Sequence, residues 1–202
     1  MDPWIIGAKY DKIAQSWHAE LSTSSYGLNF LKKAISYCSH TISCLDVGCG
    51  AGGRFIHMLE DDGFTVTGLD VSAEMLKIAK QVHPELHLKN ADITTVEMKQ
   101  NYDLIVAWDS IFHLPLNKHE QVLRKLASCL NTGGVLLYTC GDTEGEHTDI
   151  WHDDQFYYSS IGVNGNLATL LDSGLKPVHL EMDQFPLNHV VVIAVKPCVE
   201  KT

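Results

Sequence analysis

The stretch Leu45-Asp46-Val47-Gly48-Cys49-Gly50-Ala51-Gly52-Gly53 decides how this chain is read. It closes the short apolar run 42–47, and an apolar run of that length ending in glycines is a buried strand entering a tight turn. Gly48, Gly50 and Gly53 fit G-x-G-x-x-G, a turn whose bare backbone lets a nucleoside-bearing ligand approach the start of the next helix. Upstream, Leu28, Leu31, Ala34 and Ile35 recur at helical spacing. Downstream the pattern predicts a helix after Gly52, a strand at 64–69, a helix at 73–82, short strands near 86–88 and at 103–106, and a helix at 117–130. Asn131-Thr132-Gly133-Gly134 reads as the stop of that last helix, and 135–139 as the next strand. Such alternation demands right-handed crossovers and a doubly wound α/β fold whose mostly parallel sheet is covered on both sides. The tail breaks the rhythm: strands at 178–182 and 190–195 are separated by 183–189 alone. That is too short for a crossover helix, so the last two strands are expected to pair antiparallel.

The 202 residues fit one domain, 45% hydrophobic and 20% charged, with apolar material for a core. Fifteen Lys and Arg against twenty-five Asp and Glu give a charge of −10. Lys32-Lys33 and Arg124-Lys125 are isolated pairs, so no basic patch offsets it and no nucleic-acid partner is expected. The six cysteines form no Cys-x-x-Cys pair and no zinc spacing, which points to a reducing cytoplasm. The start Met-Asp-Pro-Trp lacks the basic and apolar regions of an export signal, and no run reaches the roughly 20 apolar residues of a membrane span. Neither export nor a membrane partner is expected.

Two carboxylates qualify the glycine turn. Asp46 ends the first strand beside the amides of the next helix. A pyrophosphate there would meet a carboxylate, whereas a ligand carrying an ammonium and a sulfonium would be attracted; S-adenosylmethionine is such a ligand. Asp70 ends the second strand, at the spacing of the acidic residue that takes ribose hydroxyls in dinucleotide-type sites. Asp70→Ala is accordingly expected to weaken cofactor binding with little loss of fold.

Asp-x-Gly-x-Gly-x-Gly, then Leu69-Asp70-Val71-Ser72-x-x-Met75-Leu76, then Ala91-Asp92-Ile93, then Tyr102-Asp103-Leu104-Ile105-Val106 resemble the ordered motifs of class I S-adenosylmethionine-dependent methyltransferases, small-molecule type. The resemblance covers most of the chain and implies a seven-stranded sheet with an antiparallel final strand, in line with the tail. It implies that Gly48, Gly50 and Gly52 approach the methionine part, that Asp70 binds the ribose, and that Met75 packs on the adenine. Asp92 would receive the adenine amino group and Ile93 contact the ring, with Cys49, Val71, Ala91 and Trp108 completing the cofactor set. Tyr10-Asp11-Lys12-Ile13-Ala14-x-x-Trp17 is similar to the segment that lies over the cofactor, giving Tyr10 and Trp17 a place there. A helical segment 1–40 over a Rossmann-like core 41–202 is therefore expected.

Chemistry is expected where the fourth strand runs into Ala107-Trp108-Asp109-Ser110-Ile111-Phe112-His113-Leu114. The Asn/Asp-Pro-Pro-Tyr/Phe signature of amide and exocyclic-amine methylation is missing there, which speaks against DNA adenine or protein glutamine. Asp109 and His113 are candidate substrate-lining residues, and His113 has the pKa range of a general base. Residues 141–160 read as a long polar substrate-side loop, whose Trp151, Tyr157 and Tyr158 would line the acceptor. His147, His152, Asp153 and Asp154 match no common ligand spacing, so no metal is expected. The reading that results is methyl transfer from S-adenosylmethionine, with S-adenosylhomocysteine as product, to a small-molecule acceptor. A module that only binds this cofactor, and a nicotinamide-dependent oxidoreductase, remain as alternatives.

Overall fold

The computed structural model describes residues 1–184 and 188–198. Strand β1 (Ser43–Val47) lies inside a seven-stranded sheet, followed by helix α3 (Arg54–Asp61), β2 (Thr65–Asp70), α4 (Ala73–Val82) and β3 (His87–Asn90). Then come β4 (Tyr102–Ala107), α5 (His119–Ser128) and β5 (Leu130–Gly141). Helices α1 (Pro3–Leu21) and α2 (Leu28–Tyr37) precede this core, and α6 (Gly162–Asp172), β8 (Lys176–Gln184) and β9 (His189–Val195) close it. The sheet order is β3-β2-β1-β4-β5-β9-β8, parallel except for β9, which runs antiparallel to both neighbours. The doubly wound class and the antiparallel final strand are those expected; residues 185–187 of the short connection lie outside the described residues. Winding goes one way from β1 to β2 and β3 and the other way from β4 to β5, so the order reverses between β1 and β4. A crevice opens beyond the carboxyl ends of those strands.

Both faces of the sheet are covered. In β4, Leu104 and Val106 join Phe30 and Leu31 of α2 and Ile56 and Leu59 of α3, while Ile105 and Ala107 join Leu123 and Leu126 of α5. A strand buried on both sides carries no polar alternation, which is why it reads as one apolar run. Burial of each large aliphatic side chain contributes roughly 1.5–3 kcal/mol.

Two elements depart from the sequence reading. The glycine pair expected to follow a helix is part of β5, where Gly133 takes φ +76° and the pairing with β4 shifts register between Tyr102 and Leu104. The signal marks a bulge rather than a loop. Residues 141–160 are no loop either. Strands β6 (Glu144–Trp151) and β7 (Asp154–Ile161) form a two-stranded hairpin closed by His152 and Asp153, both at positive φ (48° and 57°), the conformation that two-residue hairpin turns require. Strand β6 was illegible because it is exposed nearly throughout, so no apolar alternation records it. Among the described residues no helix is long and apolar enough to cross a membrane.

Candidate active site

The crevice at the switch point is roofed by α1, whose inner face carries Ile6, Tyr10, Ala14 and Trp17. Asp11 docks this roof on the β2–α4 junction: one carboxylate oxygen accepts from the Ser72 hydroxyl (2.6 Å) and the Glu74 amide (3.0 Å). From the other side the hairpin holds α1 through Lys9 and Lys12, each 2.8 Å from Asp154, and through Trp151, which packs against Tyr10 and Trp17.

The floor is the glycine turn. The amides of Gly48 and Cys49 both donate to the Leu69 carbonyl (2.7 and 3.2 Å), tying the turn to the end of β2. Gly48 has φ +74°, and a Cβ there would lie 2.3 Å from that of Ser110, so only glycine fits. Asp70 accepts the Gly50 amide on one oxygen (2.9 Å) and the Ser72 amide on the other (2.8 Å). Ser72 itself caps α4, accepting from the Met75 amide (3.1 Å). Met75 is buried on the cavity side of α4, and Ala91, Asp92 and Ile93 close that end beyond β3. Asp92 accepts from the Thr94 amide (2.7 Å) and hydroxyl (2.6 Å), one bond per oxygen.

Charge in the cavity is concentrated on carboxylates. Burial, then repulsion from Asp70, pushes Asp46 up to about 7 against the pull of Arg54, and burial also raises Asp70 despite its amide partners. Asp46 is 5% exposed and accepts no hydrogen bond from the described residues. A buried carboxylate without a donor costs energy that a cationic ligand would return. This set of carboxylates fits a ligand bearing an ammonium and a sulfonium, and the bare glycine turn leaves room for its chain.

Of the sequence-predicted residues, Tyr10, Trp17, Asp46, Gly48, Cys49, Gly50, Asp70, Val71, Met75, Ala91, Asp92, Ile93, Trp108, Asp109 and His113 all face this one cavity. Four do not. Gly52 turns away from it: a Cβ there would press on Ala79 of α4 at 3.0 Å and on His83 at 3.2 Å, so Gly52 serves helix packing. Trp151, Tyr157 and Tyr158 lie behind α1 and His113 as buttresses, because the hairpin stands against the outside of the roof. His113 is fully engaged: its Nδ1–H donates to the Tyr157 carbonyl (2.7 Å) and its Nε2 accepts from the Tyr10 hydroxyl (3.0 Å). Burial lowers its pKa to about 4. With its lone pair on the Tyr10 hydroxyl, His113 anchors Tyr10 in this structure. Trp108 stacks on Phe30, and its buried Nε1–H has no partner among the described residues.

Sequence reasoning missed Asp11, Arg54, Tyr26, Asp183 and His189. Arg54 follows the glycine turn, its Nε–H donating to the Tyr26 carbonyl (2.6 Å) and its guanidinium lying over the Tyr26 and Phe55 rings. Its place directly after Gly53 was the available signal. Asp183 and His189 flank the tail connection and carry no local motif. Among the described residues, His57, Glu60 and His83 gather at metal-ligand distances. His83 pairs with Glu60 (2.8 Å) and with the Gly52 carbonyl, so the group braces the glycine turn.

Comparison with known proteins agrees with this geometry. A family profile described as a methyltransferase domain matches residues 44–134. The malonyl-[acyl-carrier protein] O-methyltransferase of Pseudescherichia vulneris is 31% identical over 190 residues, covering 88% of this chain and 73% of that one. The phosphoethanolamine N-methyltransferase of Plasmodium falciparum is 31% identical over 153 residues, 72% of this chain and 56% of that one. The chain spans about half the length of the first curated relatives it matches, from 43% to 56%. In fold it is similar to the 1,6-didemethyltoxoflavin-N1-methyltransferase of Burkholderia thailandensis, solved with that compound and S-adenosylhomocysteine. That match has TM-score 0.73 and 15% identity, covering 98% of this chain and 92% of that one. The fold and site define a Rossmann-like nucleoside-cofactor protein, and the chain belongs to the class I S-adenosylmethionine-dependent methyltransferases. The nicotinamide alternative falls with that membership.

Proposed function

We propose that this protein transfers a methyl group from S-adenosylmethionine to a small-molecule acceptor. The observation that carries the reading is the shared cavity. Asp70, Met75 and Asp92 line the same cavity as Gly48, Trp108, Asp109 and Ser110, so a cofactor and an acceptor would meet in it. The cofactor supplies an electrophilic methyl carbon on a sulfonium, a good leaving group, so alignment and exclusion of water account for most of the acceleration asked of the protein.

Each residue has a task in that alignment. Asp70 presents its remaining lone pairs to the ribose hydroxyls while its amide bonds fix the glycine turn. Asp46 draws the ammonium, whose arrival favours the ionised carboxylate. Met75 and Ile93 flank the adenine, and Asp92 receives its amino group. Tyr10, held by His113, and Trp17 close the roof and keep water out. The chain's formal charge is −10, which favours a small neutral or cationic acceptor over a nucleic acid. Six free thiols suit a reducing compartment such as the cytoplasm.

The test compares S-adenosylmethionine, S-adenosylhomocysteine and NADH by thermal shift, followed by turnover on a pool of small amines, acids and alcohols. A ligand at about one hundred times its dissociation constant adds roughly 2.7 kcal/mol, or about 5–11 °C for a domain of this size. Stabilisation by the two adenosyl compounds with release of S-adenosylhomocysteine is expected. Binding without release on any acceptor marks a module that only holds the cofactor, and stabilisation by NADH alone overturns both readings.

A further inference from the structure

Behind the glycine turn, away from the cavity, two imidazoles and a carboxylate meet. His57 and Glu60 stand at i and i+3 on α3 and share a helix face. His83 ends α4, and its ring centroid lies 4.4 Å from that of His57. One ligand atom from each residue falls within 4.8 Å of the other two. Spacing does not announce the group, since 23 residues separate Glu60 from His83. His57 and Glu60 are exposed and His83 is buried, so an ion can enter from solvent past the first two.

The hydrogen bonds of His83 decide what belongs among them. Its Nε2 meets the Gly52 carbonyl, which can only accept, so Nε2 carries the ring hydrogen. In the neutral imidazole Nδ1 is then a bare lone pair, yet it faces Glu60 Oε2 at 2.8 Å, an oxygen that only accepts when ionised. Two lone pairs at that distance need a positive charge between them. A proton on Nδ1 would join two of the three residues and set a cationic ring against His57, whereas a metal ion joins all three. The side chain of His57 makes no hydrogen bond among the described residues, which leaves its ring nitrogens available to coordinate. Ligating histidines are commonly held as His83 is, with one nitrogen on the metal and the other donating to a backbone carbonyl. His189 shows the contrast. Its Nε2 donates to Asp109 Oδ1 (2.8 Å) and its Nδ1 to Asp183, carboxylates on opposite nitrogens, so no single point lies near all three. With Thr139, whose Oγ1 accepts the Asp109 amide (2.9 Å), that ring orients Asp109 in the cavity wall.

We propose that His57, Glu60 and His83 bind a divalent transition-metal ion of the zinc class, which clips α3 to the end of α4 and holds the glycine turn from behind. Two imidazole nitrogens and one carboxylate oxygen suit zinc, with water completing its tetrahedron, whereas magnesium and calcium prefer sets of oxygens. Ligand atoms around a tetrahedral zinc lie roughly 3.4 Å apart. Closing to that from within 4.8 Å is a movement that rotation of the exposed His57 and Glu60 side chains supplies. The ion takes no part in chemistry at the cavity, because none of the three residues lines it. Its reach is through His83, whose bond to Gly52 enters the turn that Asp70 holds at the Gly50 amide (2.9 Å).

Titration calorimetry of the full chain, freed of metal with a chelator, against ZnCl2 is the test. A single equivalent of zinc is expected to bind, with no heat from MgCl2 at the same concentration. His57→Ala and Glu60→Gln are each expected to weaken zinc by at least about tenfold, the least that loss of even a supporting partner costs a metal site. His57 is exposed, so metal-free His57→Ala is expected to melt with wild type, and its lost affinity then reports the site rather than the fold. Cobalt(II) in place of zinc reports the ligands: d–d absorption without a sulfur-to-metal band is expected. A sulfur band would put the ion on one of the six free thiols and overturn the site. Zinc affinity unchanged in both variants, or equalled by magnesium, would overturn it too. Amide hydrogen exchange tests the clip. Zinc at about one hundred times its dissociation constant is expected to slow exchange in α3 and at the end of α4, by up to about a hundredfold where opening releases the ion, and to leave His57→Ala unchanged at that concentration. Zinc binding without such slowing would overturn the brace on the turn.

Discussion

Gly7→Ala tests whether the roof of the cavity is functional. Gly7 is buried in α1 against the β2–α4 junction, and a Cβ built on it lies 2.6 Å from the Val71 carbonyl oxygen and 2.8 Å from its carbon. Backbone on both sides leaves no flexible side chain to swing away. An ordinary contact begins near 3.4 Å, so α1 must move outward by about 0.8 Å. Gly7, Tyr10, Ala14 and Trp17 follow at i, i+3, i+7 and i+10 and share a helix face, so the shift is carried along the roof. The Tyr10–His113 bond, 3.0 Å long, would stretch out of hydrogen-bonding range. Overpacking costs about 1–3 kcal/mol and the lost bond about 1, while alanine in a helix returns about 1, so the empty protein loses roughly 1–3 kcal/mol. Cofactor binding loses the roof contacts as well, by about 1–2 kcal/mol, a 5- to 30-fold weaker S-adenosylhomocysteine affinity by calorimetry. Ile5→Ala, on the exposed face of the same helix, is the control and is expected to change nothing. A Gly7→Ala affinity within twofold of wild type would refute the idea that α1 contributes to the site.

Acid sensitivity follows from His113 and His119, both lowered to about 4 by burial from an ordinary 6.5. The unfolded chain binds these protons first, so stability falls as pH drops from about 6.5 to about 4, by about 3 kcal/mol for each histidine at most. Urea midpoints against pH check this, and His113→Gln is expected to flatten the slope. His189 acts in the opposite sense. Its pKa is raised, so the stability it contributes is complete below about 6.5 and fades as pH climbs through its folded value. Asp183→Asn is expected to bring its NMR titration down. Asp70→Ala is expected to cost about 1–3 kcal/mol of stability as well as tenfold or more in S-adenosylhomocysteine affinity, since two backbone amides lose their acceptor; thermal melts against calorimetry separate the two losses. Little change in melting temperature would show that the bridge from the glycine turn to α4 is dispensable.

That last expectation differs from the one the sequence supports, and the difference shows what a sequence can carry. Position 70 is recognisable because a carboxylate ends the second strand at a fixed distance from a glycine turn. The bridge to Gly50 leaves no further trace, as the same carboxylate serves both. The cavity lining proposed for the cofactor was legible for this reason: Asp46, Gly48, Gly50, Asp70, Met75 and Asp92 sit at or near the ends of successive elements of a regular β-α alternation. Periodicity, read from burial on both faces, fixes where those ends fall.

The acceptor half has no such grammar. Asp109 was visible as the end of β4, but what orients it comes from Thr139, Asp183 and His189, far apart in sequence and close only through the order β4-β5-β9-β8. The antiparallel insertion of β9 brings the start of that strand and the end of β8 to the same edge as the end of β4. In the parallel part of the sheet each strand offers only its carboxyl end to the crevice. Here β8 offers its end and β9 its beginning, so two tail residues reach the site without a crossover. The hairpin acts likewise through shape rather than motif: its aromatic residues, set by position as candidates for the acceptor wall, press on α1 from outside because β6 and β7 stand beside the roof. The residues proposed for the cofactor are thus written in local spacing, while those proposed for the acceptor are brought together by topology.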